Sequence, residues 1–363
     1  MKTVNLTTKK QKHKKQSPLK WVVMMIVLIF LFIFGSNKIV AESYTKFKFF
    51  EDEQFQYLDY LPISNNITIS VIDSGGLDSS SEWDLTNYYN FETGSSDVFI
   101  DDNTHGSGVS SIIHTKHLYQ YNFKGLFPTA DFLFAQVDTW EEDQGASATE
   151  WSIQNGAQII NYSFVPFARE AFIETINTGL LENDSLFIIT AGGNNNSTSW
   201  GSFSDDVWSI AGLDDTQESI LDGYCTIEDN SNIKFSAPAE DIVGYSGAAF
   251  SSSGTSYSSP LFAAAVGRIL GANNSYTRDE MYNLLVSYGT EIDGGGYKIR
   301  WKDLVETEFG ISKESKVVKV LDLDGNEMIV NIDLIYQNGN FLKSYLTTYE
   351  IDNVIYKINK ELQ

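Results

Sequence analysis

The sequence predicts a three-layer α/β fold, a mainly parallel sheet between two layers of helices, with a small β-rich extension at the C-terminus. Three observations predict it. Strand-like segments alternate with helix-like segments of ten residues or more between Ile67 and Ser287, the pattern of a parallel sheet covered on both faces. The composition, 42% hydrophobic and 20% charged, is that of a globular chain. No period of 20–50 residues repeats, which excludes solenoids and propellers.

Each element has its own justification. Ile67-Thr-Ile-Ser-Val-Ile72 alternates at period two and runs into Asp73-Ser-Gly-Gly, a strand ending in a turn. Residues 105–117 read as a helix and Asp131–Val137 as a buried strand. Ala146–Asn155 is an amphipathic run closed by Gly156, the residue that ends helices in a left-handed conformation. Gln158–Ser163 reads as a strand, Ala168–Leu181 as a helix, and Leu186–Ala191 and Val207–Leu213 as strands. Ser256–Leu270 and Thr277–Ser287 read as two further helices. Residues 300–363 differ. The stretch from Val317 to Tyr336 alternates around Asp324-Gly325, a hairpin pattern, and Asn338-Gly339 marks a second turn.

Charge and composition exclude several functions. The chain has 48 acidic and 25 basic residues, a net charge of −23, so nucleic acid is not the expected partner. A lone Cys225 excludes both a disulfide scaffold and a Cys-rich zinc site. Residues 1–41 carry eight Lys and no acid, which leaves 17 basic against 48 acidic residues, a net of −31, for residues 42–363. After that basic head comes an unbroken apolar run of 14 residues, Trp21–Phe34. It is shorter than the roughly 20 residues of a full membrane span. Residues 1–41 are therefore expected to be a signal peptide, or an N-terminal signal anchor in contact with the membrane, and the rest to work outside it.

Three islands carry chemistry: Val71-Ile-Asp73-Ser-Gly75, a carboxylate at a strand end; Thr104-His105-Gly-Ser-Gly108-Val, a histidine opening a helix; and Gly254-Thr-Ser256-Tyr-Ser-Ser-Pro260, a hydroxyl in the first turn of an apolar helix. Each alone has a plain structural explanation. Together they supply what a serine nucleophile needs, an imidazole to take its proton and a carboxylate to fix that imidazole's tautomer. The order is Asp, His, Ser, with 32 residues from Asp73 to His105 and 151 from His105 to Ser256. This is the chain order of subtilisin, and no Gly-x-Ser-x-Gly elbow points to the α/β-hydrolase alternative.

These islands resemble the Asp, His and Ser motifs of the subtilisin-like serine proteases. The resemblance continues through Gly125-Leu-Phe-Pro-Thr-Ala-Asp131, Ile159-Ile-Asn-Tyr-Ser163, Ala191-Gly-Gly-Asn194 and Ser236-Ala-Pro-Ala239, and covers residues 60–300. It implies a subtilisin-like fold, with residues 42–305 as the peptidase domain and 306–363 as the β-rich extension. It also implies Ser256 as nucleophile, His105 as general base and acid, Asp73 as the residue orienting His105, and Asn194 as a donor to the oxyanion. Peptide or protein is the implied substrate, cleaved through an acyl-enzyme, with a leader-processing protease as a narrower form. An inactive peptide-binding relative and a surface adhesin built on the extension are the rival readings.

Departures from the family pattern are specific. Phe164-Val-Pro166 follows Ser163 where small residues are usual, and Pro166 cannot donate to a substrate strand. Tyr257 stands where Met is usual and Leu261 where His is usual; both read as repacking of the helix. No cofactor is required. Structural calcium is common in the family, but Asp322-x-Asp324 lacks the spacing of a calcium loop, and His114 with His117 has no third ligand nearby. A folded pro-domain is not expected either. Glu42–Asn66 is too short for a core of its own, and its aromatic residues are expected to stay with the mature enzyme.

The acidic balance of residues 42–363 generates a first prediction. Encounter with cationic substrates should be faster, and salt should screen the advantage. In matched peptides, kcat/KM for a Lys-flanked substrate should exceed that for a Glu-flanked one at low salt and converge with it at high salt. Equal rates at low salt would place the acidic residues away from the cleft.

Overall fold

The structure is a computed structural model that describes residues 49, 51–75, 85–96, 105–116, 123–138, 142–164, 170–194, 204–246, 249–322, 327–348 and 356–357. The expected signal segment 1–41, His117, Val165-Pro166 and the Asp324-Gly325 turn lie outside these residues. Among the described residues no helix is long and apolar enough to cross a membrane.

The chain divides into two compact units, one of Tyr44–Ser312 with Tyr336–Asn340, the other built on Lys313–Ile335 and the chain from Phe341 onward. In the larger unit, α1 (Glu53–Tyr60) precedes β1 (Thr68–Asp73), β2 (Leu85–Asn90), α2 (His105–His114), β3 (Asp131–Gln136), α3 (Glu142–Gln154) and β4 (Ile159–Tyr162). There follow α4 (Glu170–Glu182), β5 (Phe187–Ala191), β6 (Val207–Leu213), β7 (Ile233–Pro238) and the strand pair β8 (Ile242–Tyr245) and β9 (Ala249–Ser252). The unit then runs through α5 (Thr255–Ala272), α6 (Arg278–Ser287), β10 (Gly289–Ile292), β11 (Gly296–Ile299) and α7 (Trp301–Phe309).

Nine strands form the central sheet in the order β10-β11-β7-β6-β5-β4-β1-β3-β2. Every neighbouring pair is parallel except β10–β11. The expected mainly parallel sheet is therefore present. Chain order reverses beside β1, which pairs with β3 on one side and β4 on the other; a crevice at the carboxyl ends of the strands is expected at such a reversal.

Strands β1 and β3–β7 are buried on both faces of the sheet, and β1 shows why their residues are apolar almost throughout. Ile69 points at α5, where Gly267 lets the helix approach so closely that a Cβ would meet Ile69 Cδ1 at 2.9 Å. Ile72 points the other way, into a cluster with Leu133, Ile160, Phe172 and Ile188 beneath α3 and α4. Ser70 on that same side is tolerated because its hydroxyl pairs with Ser152 of α3 at 2.8 Å. Helix ends follow local chemistry: Gly156, at φ +82°, closes α3, and Thr277 and Glu280 form a reciprocal capping box on α6.

Two segments differ from expectation. Residues 306–309, placed in the β-rich extension on sequence, belong to helix α7, in which Trp301, Leu304 and Val305 are buried; that spacing of three and four is helical. The aromatic segment before β1 contains α1, capped by Asp52, whose side chain accepts from Gln54 N at 2.8 Å. Its Phe55, Tyr57, Leu58 and Tyr60 are buried, and the helix packs on α5 and α7. In the smaller unit, β12 (Ile311–Asp322), β13 (Glu327–Gln337), β14 (Asn340–Thr348) and β15 (Tyr356–Lys357) form a sheet ordered β14-β13-β12-β15. Asn338 and Gly339, both at positive φ, make the tight turn between β13 and β14.

The link from α1 to the sheet layers is ionic. Asp59 accepts from both Lys124 Nζ and Arg268 Nη2, and its side chain is 12% exposed. Arg268 also lies 5.5 Å above the Phe127 ring. Asp59→Ala strands two largely desolvated cations, so unfolding in urea should show a loss of about 3–5 kcal/mol. A loss below about 1 kcal/mol, the worth of an exposed pair, would refute this mode of holding α1.

Candidate active site

The site begins with a buried carboxylate. Asp73 is the last residue of β1 and is fully buried. Its Oδ1 accepts from Ser74 N at 2.8 Å and from His105 Nδ1 at 2.7 Å. His105 is the first residue of α2, and the helix reaches the strand end because Gly106 N donates to Ser74 O at 3.0 Å. A Cβ on Gly106 would stand 2.5 Å from that oxygen, so the residue after the histidine must be glycine. The Asp73 charge holds the His105 pKa above its ordinary value, while burial pulls more weakly the other way. With Nδ1 donating to the carboxylate, Nε2 is the basic nitrogen of the neutral ring.

The start of α5 forms the second half. Gly254 offers no side chain to cap the helix, and Asn194 supplies the acceptor instead. Its Oδ1 accepts from Thr255 N at 3.1 Å and from Thr255 Oγ1 at 3.0 Å, while Thr255 Oγ1 accepts from Gly193 N at 3.1 Å. With its oxygen so engaged, the amide presents Nδ2, which has no protein partner among the described residues. Ser256 lies next in the chain, and its Oγ donates to the carbonyl of Ser163, just beyond β4, at 2.7 Å. Ser163 Oγ is in turn held by Asn161 Nδ2 at 2.9 Å and lies 3.1 Å from Ser259 Oγ.

Asp73 and His105 are thus in direct contact, and Asn194 is bound to the residue preceding Ser256. The two halves meet through Tyr257, whose ring centroid is 6.2 Å from that of His105. Thr255 and the Ser163 carbonyl were not singled out on sequence. A glycine at the helix cap, leaving the first N–H without a local acceptor, is the feature that points to Thr255 needing a remote partner. Phe164 packs edge-on against Tyr162 at 5.8 Å. His114 is buried and stacks on Phe132 at 4.8 Å, and among the described residues no group of three or more His, Cys, Asp or Glu could hold a metal.

Comparison with known proteins gives the same answer as the sheet and its strand ends. The model of the Peptidase_S8 subtilase family matches residues 64–296. The chain belongs to the subtilase family, a family of serine peptidases. A curated relative, the minor extracellular protease Epr of Bacillus subtilis (strain 168), is 25% identical over 241 residues, 62% of this chain and 36% of that protein. This chain therefore spans about a third of that relative's length. Among solved structures, the prenylagaramide maturation protease PagA aligns with a TM-score of 0.55 at 19% identity, covering 69% of this chain and 97% of that one. MycP1 with its N-terminal propeptide removed aligns at 0.58 and 16%, covering 69% and 95%. A cold adapted subtilisin-like serine proteinase aligns at 0.53 and 22%, covering 64% and 87%. At these identities the structures establish the subtilase fold.

The raised His105 pKa has a definite sign for stability. The folded value lies above the unfolded one, so the His105–Asp73 pair stabilises the chain fully below about pH 6.5 and that contribution is lost as pH rises through the folded value. An NMR titration of the His105 ring should give a midpoint above about 6.5, and Asp73→Asn should lower it. A midpoint unmoved by Asp73→Asn would contradict the assignment of the shift to Asp73.

Proposed function

We propose that this subtilase is an exported serine endopeptidase that cleaves peptide bonds through Ser256, His105 and Asp73. The observation that carries the reading is the 2.7 Å contact between His105 Nδ1 and the buried Asp73 carboxylate, with Ser256 in the first turn of α5 next to Thr255, which Asn194 holds. Ser256 Oγ has one proton, which the resting hydroxyl donates to the Ser163 carbonyl. A turn about χ1, between staggered wells, redirects it to His105 Nε2. The same turn frees the Ser163 carbonyl to accept a substrate N–H.

Attack of Oγ on the substrate carbonyl carbon then transfers the proton to Nε2, and Asp73 stabilises the resulting imidazolium. The negative oxygen is met by Asn194 Nδ2 and the Ser256 N–H, at the positive end of the 18-residue α5. Collapse breaks the C–N bond, and the leaving amine takes the proton from His105. Water, deprotonated by His105, hydrolyses the Ser256 ester and restores the enzyme. None of these steps needs a metal or an organic cofactor.

Export rests on the basic head and the 14-residue apolar run, Trp21–Phe34, and agrees with the extracellular location in the name of the Bacillus relative. The sequence Phe164-Val-Pro166, where small residues are usual in the family, supports a selective processing enzyme over a general scavenger, because proline has no N–H to offer a substrate strand.

Ser256→Ala should abolish hydrolysis and labelling by a fluorophosphonate, with a loss of about 10⁶ in kcat, the magnitude known for subtilisin's own nucleophile. In the parent enzyme kcat/KM should fall as pH drops through the raised His105 pKa, because only the neutral ring accepts the proton. More than a few per cent of activity left in Ser256→Ala would overturn the nucleophile assignment. New termini sequenced from a digested peptide library would then define the cleaved bond.

A further inference from the structure

Asp73 grips His105 at Nδ1, but the side chain is still 31% exposed. Rotation about Cα–Cβ toward solvent therefore has to be opposed by packing against the ring. On helix α2, Gly106 and Gly108 follow the histidine, and neither has a side chain to lean against it.

Aromatic rings from elsewhere in the chain fill the gap. Phe250 of β9 occupies a slot between two glycines: a Cβ on Gly108 or on Gly244 would come within 2.6 Å of Phe250 Cζ. Tyr257 lies on Phe250, with ring centroids 6.0 Å apart, and faces His105 at 6.2 Å. It is 8% exposed, and its hydroxyl faces the side chain of Ser252, on the same strand as Phe250. The strand pair is itself tied to α2. Tyr245 N donates to Ser111 Oγ at 2.9 Å, and Ser111 Oγ donates to Gly108 O at 2.6 Å. The helix that carries the histidine and the ring that faces it thus belong to one braced assembly.

We propose that Tyr257, seated on Phe250, is the positioning residue that keeps the His105 imidazole paired with Asp73 and turned toward Ser256. The inference rests on the catalytic reading above and adds to it a residue in the position where Met is usual. Tyr257 acts without touching a reacting atom, by denying His105 the outward orientation.

The test uses the full chain and two readouts. One is kcat and KM on a peptide substrate. The other is the far-downfield proton resonance of the Nδ1–H shared by His105 and Asp73, assigned by its loss in Asp73→Ala. In Tyr257→Ala the resonance should broaden or vanish, and kcat should fall by about tenfold to a hundredfold, part of the roughly 10²–10⁴ that a positioned acid–base group supplies, with little change in KM. Tyr257→Phe, which keeps the ring, should restore the resonance and most of kcat. If Tyr257→Ala does not fold, Phe250→Leu withdraws the support beneath the tyrosine without altering α5 and should weaken the resonance and kcat together. A sharp, unshifted resonance in a folded variant, with or without a loss of kcat, overturns the proposal. Activity surviving in Ser256→Ala would overturn the catalytic reading instead, so the two failures are distinguishable.

Discussion

The arrangement depends on one close backbone approach, the 3.0 Å hydrogen bond from Gly106 N to Ser74 O. It brings the first turn of α2 down onto the end of β1, and only there can Nδ1 of a helix-opening histidine reach a carboxylate with no exposure to solvent. Burying Asp73 is costly, since a desolvated carboxylate loses several kcal/mol of hydration before any partner is counted. Both of its observed donors go to Oδ1, and Oδ2 has no partner among the described residues. The Ser74 N–H and the His105 Nδ1–H, both on Oδ1, offset part of that cost.

A similar economy governs Asn194. An α-helix starting at a glycine has orphan N–H groups and no side chain to accept from them. Asn194 Oδ1 accepts from the first of them, at Thr255, and in doing so determines which way the amide points. The structural cap and the chemical donor are two ends of one planar group, so the demand of the helix for an acceptor orients the N–H bonds outward. Thr255 Oγ1, bridging Gly193 N and Asn194 Oδ1, secures the loop after β5 to the helix that carries the nucleophile. Positioning of this kind cannot be assigned to any one of the three residues.

Much of this was legible in the sequence, for physical reasons that differ by element. Val207–Leu213 is buried along its whole length and reads as an apolar run interrupted by one polar residue, Ser209, whose hydroxyl pairs with that of Thr190. The site residues stand at strand ends and helix starts, where glycine, hydroxyls and acids mark the chain independently of any core. Two short strands of the larger unit were not legible. Leu85–Asn90 is an edge strand paired with β3, and Ala249–Ser252, with two serines among its four residues, is a strand only because Ile242–Tyr245 lies against it. Helix α1 is built from aromatics with modest helix propensity, so its form comes from the surface it packs on. The contact of Asn194 with Thr255 spans 61 residues, and no local pattern encodes a partner at that distance. The substitution of Tyr for Met at position 257 looked like repacking for the same reason: its neighbours Phe250 and His105 become neighbours only in the fold.

The segment before β1 brings the nucleophile's helix under control from its far end. The C-terminal carbonyls of a helix are orphans too, and Gly271 O, near the end of α5, accepts from Ser64 N at 2.9 Å, Asn65 N at 3.0 Å and Asn65 Nδ2 at 3.2 Å. One turn earlier, Arg268 is held by Asp59 of α1. Helix α5 is thus gripped at its first residue by Asn194 and over its last turn by residues 59–65, with Ile69 and Phe127 packed closely against Gly267 between the two. A reacting hydroxyl has to be held to within about half an ångström of its working position. A helix anchored only at its N-terminus could tilt about that point and carry Ser256 away from the Ser163 carbonyl. Restraint at both ends removes the tilt, so residues 59–65 contribute to the geometry of the site from the far end of its helix.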